Sequence, residues 1–261
     1  MNFADATAVR SVGEGRYAAT VHDGWDIGGN ANGGYLMAIA VRAMSNEIGR
    51  PPLTVTGHYL RPAPAGDCEI EVTTIRSGRR LATASATLSM GGKATLTLLA
   101  TFGDQAPGGP SRSMEGPVEL PAWADAAAAP PEAEGPKPEL MHRIDVRMHP
   151  DDMGFRRGEP TGRPEIRGWF SLPDAEPIDA IALMLAADAF PPPVFNSGLP
   201  IGWAPTVELT VHVRGMPVPG PLRCAFRSRF IHDGLLDEEG EIWDCAGTLV
   251  CQSRQLALTP R

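Results

Sequence analysis

Residues 32–49 read NGGYLMAIAVRAMSNEIG and predict a buried helix. Asn32, Gly33 and Gly34 form a glycine-rich start, and Gly49 followed by two prolines ends the helix. The apolar residues lie on nearly all sides of this helix and not along a single stripe. A helix with that pattern belongs inside a domain, not on its surface.

Four antiparallel strands are predicted directly after this helix. Residues 53–60 alternate between two faces, which places His58 and Tyr59 on opposite sides of the strand. Two further alternating segments flank Gly91-Gly92, and that arrangement is a strong signal for a β-hairpin. The four predicted strands cover residues 53–60, 68–76, 82–90 and 94–102.

The second half of the chain repeats this order. Residues Pro177 to Phe190 are helical by content and are followed by three prolines. The strands predicted after this helix cover residues 206–213, 221–231 and 241–257, with an acidic turn at Asp233–Gly240 between the last two. The same element order at a shift of about 153 residues predicts an internal duplication.

A proline- and alanine-rich segment separates the two halves. Residues 105–140 carry almost no apolar periodicity and predict a linker. The predicted organisation is therefore an N-terminal domain at 1–104, a linker at 105–140 and a C-terminal domain at 141–261.

Charge and cysteine content exclude several classes of protein. The net charge of −8 argues against nucleic acid or an anionic membrane as the main partner. No apolar stretch approaches the roughly 20 residues that span a bilayer, and the first 20 residues do not resemble a signal peptide. The four cysteines form no C-x-x-C pair, which favours reduced thiols and a cytoplasmic location.

Three groups of residues resemble a known family. They are GGYLMA at residues 33–38, HYLRP at residues 58–62, and the set Asp188, Thr206 and Gln255. In order and spacing they resemble the TesB-type acyl-CoA thioesterases, the type II family of fatty acid metabolism. The resemblance implies an α+β double hotdog, that is, two tandem hotdog domains that each wrap an antiparallel sheet around a long helix.

The resemblance implies that Asp188, Thr206 and Gln255 are catalytic and jointly orient a nucleophilic water. Asp188 lies near the end of an apolar helix, where the negative end of the helix dipole and a low dielectric both raise a carboxyl pKa. Without the resemblance, a structural role is favoured for Asp188, while Thr206 is explained as an ordinary β-branched strand residue and Gln255 as an exposed polar one. Glu208 is a competing carboxylate. A strand slip would replace Gln255 by Gln252.

The resemblance also places substrate contacts at Gly33, Gly34 and Tyr35, with His58 as a further candidate. Free N–H groups at a glycine-rich helix start can polarise a carbonyl or bind a phosphate, although a tight strand-to-helix turn explains the same glycines. A lone strand histidine such as His58 is more often structural.

Other types of site are not favoured. His142 and Asp145 would face opposite sides of a strand, so no metal site is expected with His149. The chain has no G-x-S-x-G motif, which argues against a serine hydrolase. Arginines at 76, 79, 80, 156 and 157 could meet phosphates, but solvated surface charge explains them better.

The sequence thus predicts an acyl-CoA thioesterase that uses no cofactor and forms a homodimer or a tetramer of double hotdogs. Two alternatives remain at this point. One is a non-catalytic protein that binds acyl-CoA or an acyl group, because a fold does not fix a function. The other is a hotdog enoyl-CoA hydratase, which ranks lower because no histidine follows Asp188 closely.

Overall fold

The computed structural model describes residues 1–105, 112–128 and 138–260. In the first half, the helices are α1 (Phe3–Ala6) and α2 (Gly33–Ile48), and the strands are β1 (Val9–Gly13), β2 (Arg16–Val21), β3 (Asp26–Ile27), β4 (Asn30–Ala31), β5 (Pro52–Tyr59), β6 (Gly66–Ser77), β7 (Leu81–Met90) and β8 (Lys93–Gly103).

After residue 112, the α-helix is α3 (Ala182–Ala186), and the strands are β9 (Ala127–Ala128), β10 (Asp145–Met148), β11 (Glu165–Ser171), β12 (Thr206–Val213), β13 (Leu222–Arg227), β14 (Ile231–His232), β15 (Leu235–Trp243) and β16 (Leu249–Leu258). Short 3-10 helices cover Glu139–His142, Pro150–Arg157, Pro173–Ala175 and Pro193–Ser197.

Helix α2 begins and ends where the sequence predicts. The Asn32 side chain accepts a hydrogen bond from the Tyr35 N–H at 2.9 Å and caps the start of the helix. Gly49 ends it in the left-handed conformation, with φ of 71°. Residues 34–41 are all buried, so the helix lies inside the first half as its apolar residues predict.

The four strands predicted after α2 are confirmed as β5 to β8. Gly91 and Gly92 have φ of 55° and 73°, which is the backbone of the two-residue turn that joins β7 to β8. Strands β1 and β2, which precede α2 and extend the sheet beside β6, carry no alternation that predicted them from the sequence.

One sheet runs through both halves. Its order is β1-β2-β6-β7-β8-β5-β12-β16-β15-β13-β11-β10-β9, with β14 beside β15. The halves meet where β5 pairs with β12 in antiparallel register, with Val55 opposite Val211. At this junction the hydroxyls of Thr56 and Thr210 lie 2.9 Å apart. The antiparallel sheet with helices packed on it confirms the predicted α+β class.

The predicted second helix is wrong in its length. Only Ala182–Ala186 is α-helical, because the Asp179 carboxylate accepts from the Ile181 and Ala182 N–H groups and fixes the start. Beyond Ala187 the chain tightens, and the Asp188 N–H donates to the Leu185 carbonyl three residues back. In the part of the chain that the structure describes, the second half therefore holds a short buried helix, whereas the first half holds a long one.

The predicted acidic turn at Asp233–Gly240 is also wrong. The turn is confined to residues 233–234, and residues 235–243 form β15. The actual break lies at residues 244–248, inside the predicted strand 241–257, where the Asp244 carboxylate accepts from the Ala246 and Thr248 N–H groups. The strand predicted at 221–231 is shorter and ends at Arg227.

The described part of the predicted linker packs on the second half. The Trp123 ring stands edge-on to Trp169, and the Arg147 guanidinium lies 4.1 Å from the centre of the Trp123 ring. Residues 106–111 and 129–137 of the linker lie outside the described residues, and the division at residues 104/105 and 140/141 is a proposal. Among the described residues, none of the helices has the length and apolar character needed to cross a membrane.

Candidate active site

A cavity of about 410 Å³ lies between the two halves of the molecule. The first half contributes the start of α2, the end of β5 and residues 60–63. The second half contributes residues 188–192, residues 202–206 and side chains of β15 and β16. The lining is mostly apolar, and its large apolar side chains are Ile27, Leu36, Tyr59, Leu60, Met141, Phe190, Phe195 and Trp203.

Asp188 of the second half is held by the start of α2 in the first half. Its Oδ2 accepts hydrogen bonds from the Gly34 N–H at 2.8 Å and from the Asn32 side-chain amide at 2.9 Å. The same Asn32 amide also donates to the Asp188 main-chain carbonyl at 2.7 Å. The carboxylate is therefore fixed in position and in rotamer before any substrate binds.

Glycine is required where α2 meets the end of α3. A β-carbon on Gly34 would lie 2.4 Å from the Met184 carbonyl oxygen, and one on Gly33 would lie 3.0 Å from Asp188 Oδ2. The predicted use of these N–H groups by substrate needs correction for Gly34, because its N–H already donates to Asp188. Gly33 lines the cavity, and its carbonyl accepts from the Tyr59 hydroxyl at 2.9 Å.

Burial raises the pKa of Asp188 to about 6, although the donors at Gly34, Asn32 and Gly33 act to lower it. The low dielectric expected from the sequence is therefore the main cause of the shift. The predicted contribution from the negative end of its own helix is wrong, because α3 is short and the carboxylate faces the N-terminus of α2. That end of a helix stabilises negative charge.

Thr206 and Gln255 line the same cavity as Asp188. Thr206 is the first residue of β12, and Gln255 lies on the neighbouring strand β16 with 8% of its surface exposed. The Gln255 Oε1 is buried and has no hydrogen-bond partner among the described residues. The structure thus brings together the three residues that the sequence singles out as catalytic.

The two rival residues lie elsewhere. A β-bulge separates Thr206 from Glu208, and Glu208 accepts a hydrogen bond from the Thr210 hydroxyl outside the cavity. Gln252 is three residues from Gln255 on β16, so the two amides point to opposite faces of the strand. Gln252 lies in a separate polar depression beside His212 and Glu241.

Tyr35 and His58 do not reach the cavity, so the substrate contacts expected of them need correction. Helix geometry turns the Tyr35 side chain into the core, where its ring stacks on Trp25 at 5.1 Å and its hydroxyl donates to the Ala6 carbonyl. His58 is exposed, since strand alternation sends it to the face opposite Tyr59. Tyr59 is the member of that pair that lines the cavity.

Two family models match most of the chain. The acyl-CoA thioesterase N-terminal domain matches residues 21–103, and the acyl-CoA thioesterase C-terminal domain matches residues 117–259. The chain belongs to the acyl-CoA thioesterase family. The predicted resemblance to the type II, TesB-like thioesterases is confirmed, and the protein is a thioester hydrolase.

Solved structures similar to this thioesterase confirm the double hotdog. A proposed thioesterase II from Thermobifida fusca YX is 35% identical, with 99% of this chain and 97% of that chain covered and a TM-score of 0.91. A hot dog protein of unknown function from Alicyclobacillus acidocaldarius is 23% identical over 98% and 97% of the chains, with a TM-score of 0.86. The latter likeness shows the fold alone.

Two mycobacterial proteins are also similar to this thioesterase. The acyl-CoA thioesterase II TesB2 from Mycobacterium marinum is 16% identical over 99% of this chain and 98% of that chain, with a TM-score of 0.78, and supports the fold alone. An uncharacterized protein of Mycobacterium tuberculosis is 27% identical over 94% of this chain and 91% of its own length.

Sequence reasoning missed three residues of the thioesterase site. Asn32 and Tyr59 lie beside residues that were singled out, but their contacts with Asp188 and Gly33 join segments far apart in the chain. Glu238 was assigned to the acidic turn, yet it lines the cavity with 9% of its surface exposed. The alternation of Leu236, Glu238 and Ile242 was the signal that could have found it.

Within residues 1–105, 112–128 and 138–260, no three His, Cys, Asp or Glu side chains are grouped so that they could hold a metal ion. His149, which invites a metal interpretation by sequence, instead caps a 3-10 helix, and its Nδ1 accepts from the Asp151 N–H at 3.2 Å.

Proposed function

We propose that this thioesterase hydrolyses acyl-CoA, with Asp188 as the general base for a water that Thr206 and Gln255 hold. The observation that carries the proposal is one cavity that Asp188, Thr206 and Gln255 line together. General-base catalysis is most efficient when the pKa of the base lies near the working pH. The Asp188 pKa of about 6 meets that requirement.

The chemical steps follow from these groups. The water oxygen attacks the thioester carbonyl carbon while its proton moves to the Asp188 carboxylate. The tetrahedral intermediate then collapses, the carbon–sulfur bond breaks, and the proton on Asp188 passes to the leaving sulfur. Since the Gly34 N–H is occupied by Asp188, one N–H of the Gln255 amide is assigned to the developing oxyanion, and the other holds the water together with Thr206.

The exposure of the lining residues supports one orientation of acyl-CoA along the cavity. Leu60 and Trp203 are 50% and 47% exposed and mark the mouth of the cavity, whereas Leu36 and Gln255 are buried at its inner end. Arg61 is the one cationic side chain among the described residues of the lining, and it lies exposed at the mouth. We assign the acyl group to the apolar walls and the phosphates of CoA to Arg61.

The test is a panel of acyl-CoA substrates with detection of the free thiol. Thiol release by the wild-type protein, lost in Asp188→Asn, is the expected result. Saturable binding of acyl-CoA without thiol release would instead support the non-catalytic alternative. Hydration of an enoyl-CoA without thiol release would support the hydratase.

Arg61→Ala is expected to raise KM for acyl-CoA with little change in kcat, because the guanidinium meets phosphates remote from the reacting carbon. An exposed ion contact of this kind is screened by salt. The difference in KM between wild type and variant should therefore shrink as the salt concentration rises. Arg254→Ala is the control, since Arg254 is exposed and lies outside this cavity. Equal KM values for the wild type and Arg61→Ala at low salt would contradict the assignment.

A further inference from the structure

Glu238 is a second carboxyl group in the cavity, and its surroundings differ from those of Asp188. It lies on β15 with its Cα opposite that of Gln255 on β16, and 91% of its surface is buried. Among the described residues, no group donates a hydrogen bond to it. Its neighbour Asp237 faces away and accepts from the Arg229 and Phe230 N–H groups.

Gln255, on the neighbouring strand, lacks a hydrogen-bond donor within the described part of the chain. Its buried Oε1 has no donor among the described residues, although buried acceptors are nearly always hydrogen-bonded. An ionised carboxylate can only accept, so an ionised Glu238 would leave Oε1 unpaired. A protonated carboxyl has one O–H donor and can supply the missing bond across the strand pair.

The distribution of donors decides which of the two carboxyls keeps the proton. Asp188 has the Gly34 N–H and the Asn32 amide to stabilise its charge, whereas Glu238 has neither. Burial, followed by the negative charges of Asp188 and Asp237, raises the pKa of Glu238 well above its usual value. On the first-half wall, burial raises the pKa of Tyr59, so that phenol stays neutral.

We propose that Glu238 is a positioning residue whose carboxyl O–H donates to Gln255 Oε1 and thereby directs the Gln255 amide N–H groups into the cavity. This role in catalysis rests on the proposed hydrolysis of acyl-CoA. The two carboxyls then have different roles. Asp188 accepts the proton of water, whereas Glu238 keeps its own proton and orients the Gln255 amide. Sites in which the environment separates two carboxyl pKa values in this way occur in other enzymes.

The kinetic test compares Glu238→Gln with Glu238→Leu. The glutamine amide can still donate to Gln255 Oε1, so Glu238→Gln is expected to keep kcat near the wild-type value. In the wild type, activity should fall at high pH as Glu238 loses its proton, and Glu238→Gln should abolish that fall because its amide has no such proton to lose. Glu238→Leu has no donor and is expected to lower kcat about tenfold with KM nearly unchanged. Wild-type kcat and wild-type pH profiles in both variants would overturn the positioning role.

A second readout tests the hydrogen bond without relying on activity. In protein labelled with ¹³C at the glutamate side-chain carboxyls, the Glu238 resonance is the one that disappears in Glu238→Gln. At pH 7 this resonance should have the chemical shift of a protonated carboxyl. The Gln255 side-chain amide signals should shift as that carboxyl titrates. Titration at an ordinary glutamate pKa with no response from Gln255 would overturn the inference even in an active enzyme. Absence of thiol release by the wild type would defeat the proposed function, while the resonance would still decide the hydrogen bond.

Discussion

Asp188→Asn is expected to lower kcat for acyl-CoA hydrolysis by about 10²–10⁴-fold with little change in KM. The amide cannot take a proton from water, so the base is lost. Its oxygen can still accept from the Gly34 N–H and the Asn32 amide, so the contact between the two halves is kept. The measurement is thiol release at saturating substrate, with thermal unfolding as a check on the fold.

Glu208→Gln is the matched control for Asp188→Asn. Glu208 is also a carboxylate near the junction of the halves, but it lies outside the cavity and accepts from Thr210. Its kcat should stay close to the wild-type value. Normal turnover by Asp188→Asn together with loss of turnover in Glu208→Gln would mean that the base has been misassigned.

Gly34→Ala is expected to destabilise the protein by about 3 kcal/mol. On a helix, alanine usually stabilises relative to glycine by up to about 1 kcal/mol. Here the added methyl group would lie 2.4 Å from the Met184 carbonyl oxygen and 3.0 Å from the Asp188 Cβ, so α2 and α3 must separate. The change should appear as a lower midpoint of urea unfolding, and kcat should fall as well because Asp188 loses its anchor.

Gly116→Ala is the control for the same chemical change. A β-carbon at Gly116 would meet no atom within 4 Å, so the free energy of unfolding should change by less than about 0.5 kcal/mol. If the midpoint of urea unfolding of Gly34→Ala equals or exceeds that of the wild type, the close approach of α2 and α3 does not require glycine at this position.

The parts of the fold that the sequence predicts best are those set by residues close together in the chain. The Asn32 cap, the Gly49 end and the Gly91-Gly92 turn each act within a few residues, and each lies where expected. The length of α3 could not be predicted, since Asp179 and the docking of Gly34 on Met184 set it. Strand β15 was mistaken for a turn because acidic residues usually face solvent, whereas Glu238 faces a cavity inside the protein.

The candidate site was only partly predictable for a similar reason. Family resemblance singled out Asp188, Thr206 and Gln255, and the structure places them around one cavity. It also pointed to Tyr35 and His58, which lie in the motifs at residues 33–38 and 58–62, but helix and strand geometry turns their side chains away from the cavity. The donors to Asp188 come from a segment more than 150 residues away, a separation that local patterns do not bridge.

The most direct test of the central claim is the pH dependence of kcat/KM for an acyl-CoA substrate, which reports the groups of the free enzyme. We expect kcat/KM to fall about tenfold per pH unit below a pKa of about 6, because protonated Asp188 cannot accept a proton from water. A kcat/KM that stays constant down to pH 4.5 would contradict the account, since Asp188 would then be protonated in most molecules that still hydrolyse substrate.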